Sequence, residues 1–374
     1  MKFPLINIYR AITAMLVVLF HITSNTPEYY KGVFLNNFFG FGDFRVGFFF
    51  VLSGFMITYI HYNDIVNRSN FIEYVKKRLI RILPLYWLFA TISLLSYFLF
   101  FHGYVNSIHT TLKLNSSADL LYILRCYLLI PGDKKFFVQV AWTLTYEILF
   151  YQVFSMCILG GIKIAKIIFF SWILIILFNK FIFHFGGFFD VITNFYILDI
   201  LSGCLLACLF LKDFSISNKK LKHLITVSLF LSVLLYRIAP NLFNPSNIFS
   251  YLILSLNACL IILYCTKFDK INTNNFIIKA AMLIGKSSFS IYLSHLLFLA
   301  GLRSVFGKYI ISMHIVSWEL NIYLFIVFAM VILCGIVLHL LVEKPLIKKF
   351  TTRYVRVKVL HKKTNQMKRI IAVS

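Results

Sequence analysis

Residues 326–342 read IVFAMVILCGIVLHLLV, seventeen positions without an aspartate, glutamate, lysine or arginine. With its apolar neighbours, such a block reaches the roughly 20 residues that a helix needs to cross a hydrocarbon core. The apolar residues run on continuously, as they also do in LLFLAGL at 296–302. The strands of a membrane barrel would instead alternate in a period of two. The rest of the chain repeats the pattern: of 374 residues, 60% are hydrophobic and 13% charged, too little polar material to cover a water-soluble surface. Spans are expected near 5–24, 46–61, 82–102, 136–159, 167–185, 191–211, 223–239, 248–265, 281–301 and 320–342. The fold class is therefore all-α, a polytopic bundle of about ten transmembrane helices. LLYILRCYLLI at 120–130 is too short to span untilted and carries Arg125, so it is expected as an interfacial or re-entrant helix.

Residues 1–345 form one membrane-embedded domain in this reading, and 346–374 a basic tail. Lysine and arginine near span ends stay on the cytoplasmic side. With the N-terminus inside, the segments on that side carry about 25 of them against 9 outside, so both termini are expected in the cytoplasm. Most of the net charge of +24 is thereby accounted for by topology. No basic module interleaved with aromatics lies outside the spans, so no nucleic-acid partner is expected. The tail RYVRVKVLHKKTNQMKR is expected to be solvated, with anionic membrane lipids as its nearest partners. The seven cysteines sit mostly in apolar blocks without CxxC or histidine spacing, and no metal site is expected. An arginine inside the first span argues for a retained segment rather than a cleaved leader, and no soluble domain is expected beyond the last span.

The first span, RAITAMLVVLFH at 10–21, carries two side chains that resist leaving water. Arg10 and His21 are eleven residues apart, almost three helical turns, so they share one face and stand about 16 Å apart along the axis. Either alone is explained by snorkelling or by an interface; the shared face points to a polar path through the protein. Glu147, in AWTLTYEILFY beside Trp142, Tyr146 and Tyr151, is an intramembrane carboxylate and so a candidate site residue. Asp199 in FYILDILSG is expected to be structural. In KKRLIRILPLYW, Arg78 and Arg81 serve either as a topology signal or as paired donors to a phosphate-rich ligand.

Six segments in order give the chain a resemblance to the integral-membrane acyltransferase family 3, whose members transfer acyl groups, usually acetyl, onto sugars. These are Arg10–ten residues–His21, FFFVLSGFMIT at 48–58, RLIRILPLYW at 78–87, WTLTYEILFY at 142–151, IGKSSFSIYLSHLLF at 284–298 and VEKP at 342–345. The resemblance implies a bacterial inner-membrane enzyme that takes acetyl-CoA, or another acyl-CoA, from the cytoplasm and modifies a saccharide acceptor. Carried over by position, it makes His21 and Arg10 the central catalytic pair, with Glu147 orienting the imidazole or balancing Arg10. Arg78 and Arg81 become the site for CoA phosphates. Ser53, Trp142, Tyr146, Ser294 and His295 line the site or its supporting shell. Many members read Gly-Val-Asp ahead of the apolar phenylalanine run, where this chain reads Arg45-Val46-Gly47.

The chemistry suits these parts. Acyl transfer to a hydroxyl needs a proton acceptor, stabilisation of an oxyanion and exclusion of water. A neutral imidazole meets the first need, so His21 is expected as general base, with a covalent acyl-histidine as a variant. The expected acceptor is a surface polysaccharide, such as an O-antigen, capsule or exopolysaccharide, or its lipid-linked precursor. The alternative is a flippase for lipid-linked sugars, which would move substrate without consuming acyl-CoA.

Overall fold

The computed structural model describes residues 3–24, 44–69, 71–100, 104–105, 110–111, 116–132, 134–243, 247–268, 271–312 and 317–352. They form α1 (Pro4–Ser24), α2 (Phe44–Val66), α3 (Phe71–Phe100), α4 (Ser117–Leu128), α5 (Trp142–Phe178), α6 (Phe188–Ile192), α7 (Tyr196–Leu211), α8 (Asn218–Ile238), α9 (Ile248–Lys267), α10 (Phe276–Lys286), α11 (Ser288–Ser312) and α12 (Ser317–Leu338). A two-residue antiparallel ladder joins Tyr104–Val105 to Thr110–Thr111. Among the described residues, eight helical runs are long and apolar enough to cross a membrane, and the bent pair α10–α11 makes nine. One run, Gln139–Phe183, has 45 residues, about 67 Å of helix and twice a hydrocarbon core. Gly161 interrupts it with φ 80 and ψ −177, a conformation open to glycine alone without strain. Its two sides match the spans expected at 136–159 and 167–185; counted separately, they bring the bundle to ten.

Two boundaries differ from expectation. The span expected straight through 281–301 is bent by 70° between α10 and α11. Its sequence there is Gly285-Lys286-Ser287-Ser288, and Ser287 donates its hydroxyl back to the carbonyl of Leu283 at 2.9 Å. Serine competes in this way with the helix ladder, and glycine weakens it further. The other difference is α3, which begins well before the expected 82, so the basic run lies within the helix rather than ahead of it. Glu73 and Lys77 pair across one turn at 2.9 Å, a spacing that supports this early start.

The middle of the bundle is the contact of α2 with α7. A Cβ on Gly54 would overlap the carbonyl of Ile200, and one on Gly203 would overlap that of Val51. Small residues let helix backbones approach where no water drives them together. Around this contact pack Phe55, Tyr86, Phe150 and Phe154, all fully buried. Outward, α8 exposes Phe230, Val233 and Ile238, as a lipid-facing helix does. Gly54→Leu is expected to separate α2 from α7 and reduce folded protein in the membrane severalfold at equal synthesis, measured by protease resistance and gel filtration; a wild-type profile would mean the pair bears no packing load.

The Arg68 side chain lies against Gly161, Lys222 sits over the ring of Tyr264 and Lys267 over that of Phe214. As expected from its length, α4 is a short capped helix: Ser116 accepts from the Asp119 amide and Leu129 closes it in the left-handed region. The last helix continues without a break at 345, through a π-turn at His339–Glu343 to Thr352. The turn sets His339 Nδ1 2.8 Å from Glu343, which also accepts from Ser290 of α11 at 2.6 Å. The tail from 353 onward lies outside the described residues.

Candidate active site

The shared face of α1 looks into two cavities. The first, of about 220 Å³, is lined from α1 by Arg10, from α2 by Ser53, from α3 by Arg78 and Arg81, from α5 by Glu147 and Tyr151, and from α11 by Ser288. Arg10 is 9% exposed, and its Nη2 donates to Ser288 Oγ at 2.8 Å. The bend before α11 is what brings that serine to the arginine, by starting a new helix at the cavity wall. Arg78 Nη2 lies 2.7 Å from His61 Nε2. Because a guanidinium only donates, Nε2 accepts, and the ring proton stands on Nδ1, 2.6 Å from Asp64. Arg78 also lies over the rings of Tyr74 and Tyr151. Tyr151 donates to Glu147. The cavity reaches the surface where Ile60 and Arg81 are exposed. It therefore holds three guanidinium groups facing one carboxylate, a net positive enclosure suited to phosphate or to a developing oxyanion.

The second cavity, of about 430 Å³, is lined by His21 and Phe20 of α1, by Lys134, Lys135 and Gln139 ahead of α5, and by Trp142. That volume falls within the roughly 300–1,000 Å³ of small-molecule pockets, whereas the first cavity is smaller. His295 of α11 lies beside His21, the rings tilted by 42° with centroids 5.0 Å apart. It is fully buried, with Nδ1 2.7 Å from the Tyr292 carbonyl and Nε2 without a hydrogen-bond partner among the described residues. Val46 and Tyr292 line both cavities. Tyr292 is held between them by Thr143 Oγ1 at 3.0 Å and by donation to the Val140 carbonyl at 3.3 Å. A cation-rich chamber thus meets an imidazole-bearing one at Tyr292 and Val46.

A family model described as an acyltransferase domain matches residues 4–340, from the first turn of α1 into the π-turn of the last helix. The chain belongs to acyltransferase family 3. It is a multi-pass membrane acyltransferase. No curated protein and no solved structure matches it.

Within this family member the residues expected to act together are divided. Arg10, Ser53, Arg78, Arg81 and Glu147 share the first cavity; His21 and Trp142 share the second. Glu147 stands with Arg10 and not with His21, so of its two expected roles only charge balance to the arginines fits its position. No ion pair joins it to an arginine among the described residues. Tyr146 lines neither cavity; it packs against Phe50, Trp142 and Tyr196. Ser294 is buried on the helix backbone, its hydroxyl 3.5 Å from the Ile291 carbonyl, and His295 supports His21 from behind.

Several residues of the two cavities went unmarked in the sequence. Ser288 and Tyr292 fall inside the quoted IGKSSFSIYLSHLLF segment, but a serine and a tyrosine in a span carry no charge signal. Lys134 and Lys135 fall between apolar blocks, where a lysine reads only as a topology signal. At the Arg45-Val46-Gly47 departure, a carboxylate still arrives from another helix. Asp199 Oδ2 lies 3.1 Å from where a Cβ on Gly47 would stand. Its Oδ1 accepts from Ser255. Asp199 is structural in that it lines neither cavity, yet it occupies the space left by the glycine.

Proposed function

We propose that the protein is an O-acyltransferase of the bacterial inner membrane, with both termini in the cytoplasm. It moves an acetyl or other acyl group from acyl-CoA to a hydroxyl of a surface polysaccharide or its lipid-linked precursor. The observation that supports this reading is the meeting of the arginine-lined cavity with the His21 cavity at Tyr292. Arg78 and Arg81 take the CoA phosphates at the mouth, and the pantetheine arm follows the α1 face from Arg10 toward His21, about 16 Å away. In the second cavity the saccharide hydroxyl attacks the thioester carbonyl. A C–O bond forms, and the C–S bond breaks. The hydroxyl proton passes to the His21 imidazole and then to the departing CoA thiolate. Trp142 offers a flat apolar face to a sugar ring, and the surrounding spans keep bulk water from the thioester.

Purified protein in lipid, given radiolabelled acetyl-CoA and saccharide, is expected to label the saccharide. Saccharide movement without CoA release would make it a flippase instead, and neither event would leave a non-catalytic membrane receptor. Replacing Arg78 and Arg81 together with Gln is expected to raise KM for acyl-CoA about tenfold or more, each arginine contributing a charge-assisted bond to phosphate. Arg81→Gln alone, at an exposed position, separates this from any disturbance of the His61 contact. An unchanged dependence on acyl-CoA concentration would return both residues to a topological role.

A further inference from the structure

The acceptor side has a second feature that the acyl-transfer chemistry does not use. α4 is too short to cross the membrane, and its leucines at 120, 121, 124 and 128 are all more than half exposed, while Tyr122 and Cys126 are buried on the opposite side. Beside it runs a groove lined by Leu121, Leu124 and Ile130 together with Tyr122, Arg125 and Lys134. Arg125 is fastened by donation to the Lys134 carbonyl and lies 5.3 Å over the Tyr122 ring and 5.4 Å over Phe136. The Lys134 ammonium stands 5.4 Å from the same Tyr122 ring. No carboxylate pairs with either cation among the described residues. The groove therefore joins an apolar trough to two cations that no carboxylate pairs with among the described residues.

Lys134 belongs to both linings, the α4 groove and the His21 cavity. Whatever anion Lys134 and Arg125 hold is thus attached on one side to something in the trough and on the other to something beside His21 and Trp142. A free polysaccharide has no use for an apolar trough, and a phospholipid has nothing to place in the sugar-sized cavity. We propose that the α4 groove binds an acceptor in lipid-linked form, a saccharide carried through a phosphate or pyrophosphate on a long hydrocarbon chain. The chain lies along Leu121, Leu124 and Ile130, the phosphate sits between Arg125 and Lys134, and the glycan enters the His21 cavity. This rests on the acyltransferase reading above for the glycan's fate, but not for the binding itself.

The test uses the full chain in phosphatidylcholine nanodiscs and a fluorescent polyprenyl phosphate without a sugar, so no acyl donor is involved. Saturable binding is expected, at least tenfold tighter than that of the uncharged polyprenol and not displaced by an equal amount of phosphatidylglycerol. Arg125→Gln with Lys134→Gln is expected to weaken it at least tenfold, and Arg125→Lys to retain most of it. Leu121→Asn, which leaves both cations in place, is expected to weaken it severalfold, and reads the trough even where the double variant fails to fold. Equal competition by phosphatidylglycerol, or variant affinities within about twofold of wild type, would overturn the proposal. Binding without any acetyl transfer would sink the catalytic reading alone; transfer to free saccharide without polyprenyl phosphate binding would sink this one alone.

Discussion

His21→Ala is expected to cut acyl transfer about 10²–10⁴-fold, the range a positioned general base contributes, while the protein still accumulates in the membrane. The expectation rests on position: His21 is the imidazole that lines the second cavity, and it lies one tyrosine away from the chamber assigned to the donor. His295 does not replace it, because it is fully buried and turned by Nδ1 onto the Tyr292 carbonyl. Insertion is expected to survive because α1 keeps its apolar length without the ring. The measurement is label transfer from acetyl-CoA at equal membrane protein. Activity within about tenfold of wild type would move the proton acceptor elsewhere.

The second large effect belongs to Arg10→Lys. Lysine keeps the charge and approximately the length, but gives up the planar fork of five donors. An arginine that merely snorkels would tolerate the change, yet Arg10 is buried in a cavity with Ser288 as its partner and, among the described residues, none for Nε. A lysine can replace the single bond to Ser288 or reach the ligand, not both. Transfer is expected to fall more than tenfold, about 1.4 kcal/mol of transition-state stabilisation, at unaltered expression. A rate within about twofold of wild type would leave Arg10 as an anchor and His21 as the sole support for the catalytic reading.

The two candidate residues show how far a sequence carries. That Arg10 and His21 share a face follows from their spacing on one helix, and the structure keeps both on the cavity side of α1. That they open into different chambers does not follow, because the divider, Tyr292, sits on α11 and is pinned by Thr143 of α5, 149 residues away along the chain. Likewise the clustering of Arg78 and Arg81 could be read from one turn of helix. The serine that binds Arg10 lies 278 residues from it, and an uncharged serine in a span gives no local signal.

Membrane residence, the number and approximate places of the spans, the short helix at 120–130 and the family all came from the sequence by itself. Hydropathy, charge bias and motif order are properties of contiguous stretches, summed along the chain without knowing what each stretch touches. The tertiary structure alone decided the bend at Ser287, the close contact of Gly54 and Gly203, the arrival of Asp199 at Gly47 and the separation of Glu147 from His21. Each of these depends on which backbones approach one another. Inside a bilayer that choice is made by packing and by hydrogen bonds between distant segments, which the local apolar pattern, nearly uniform from span to span, does not encode.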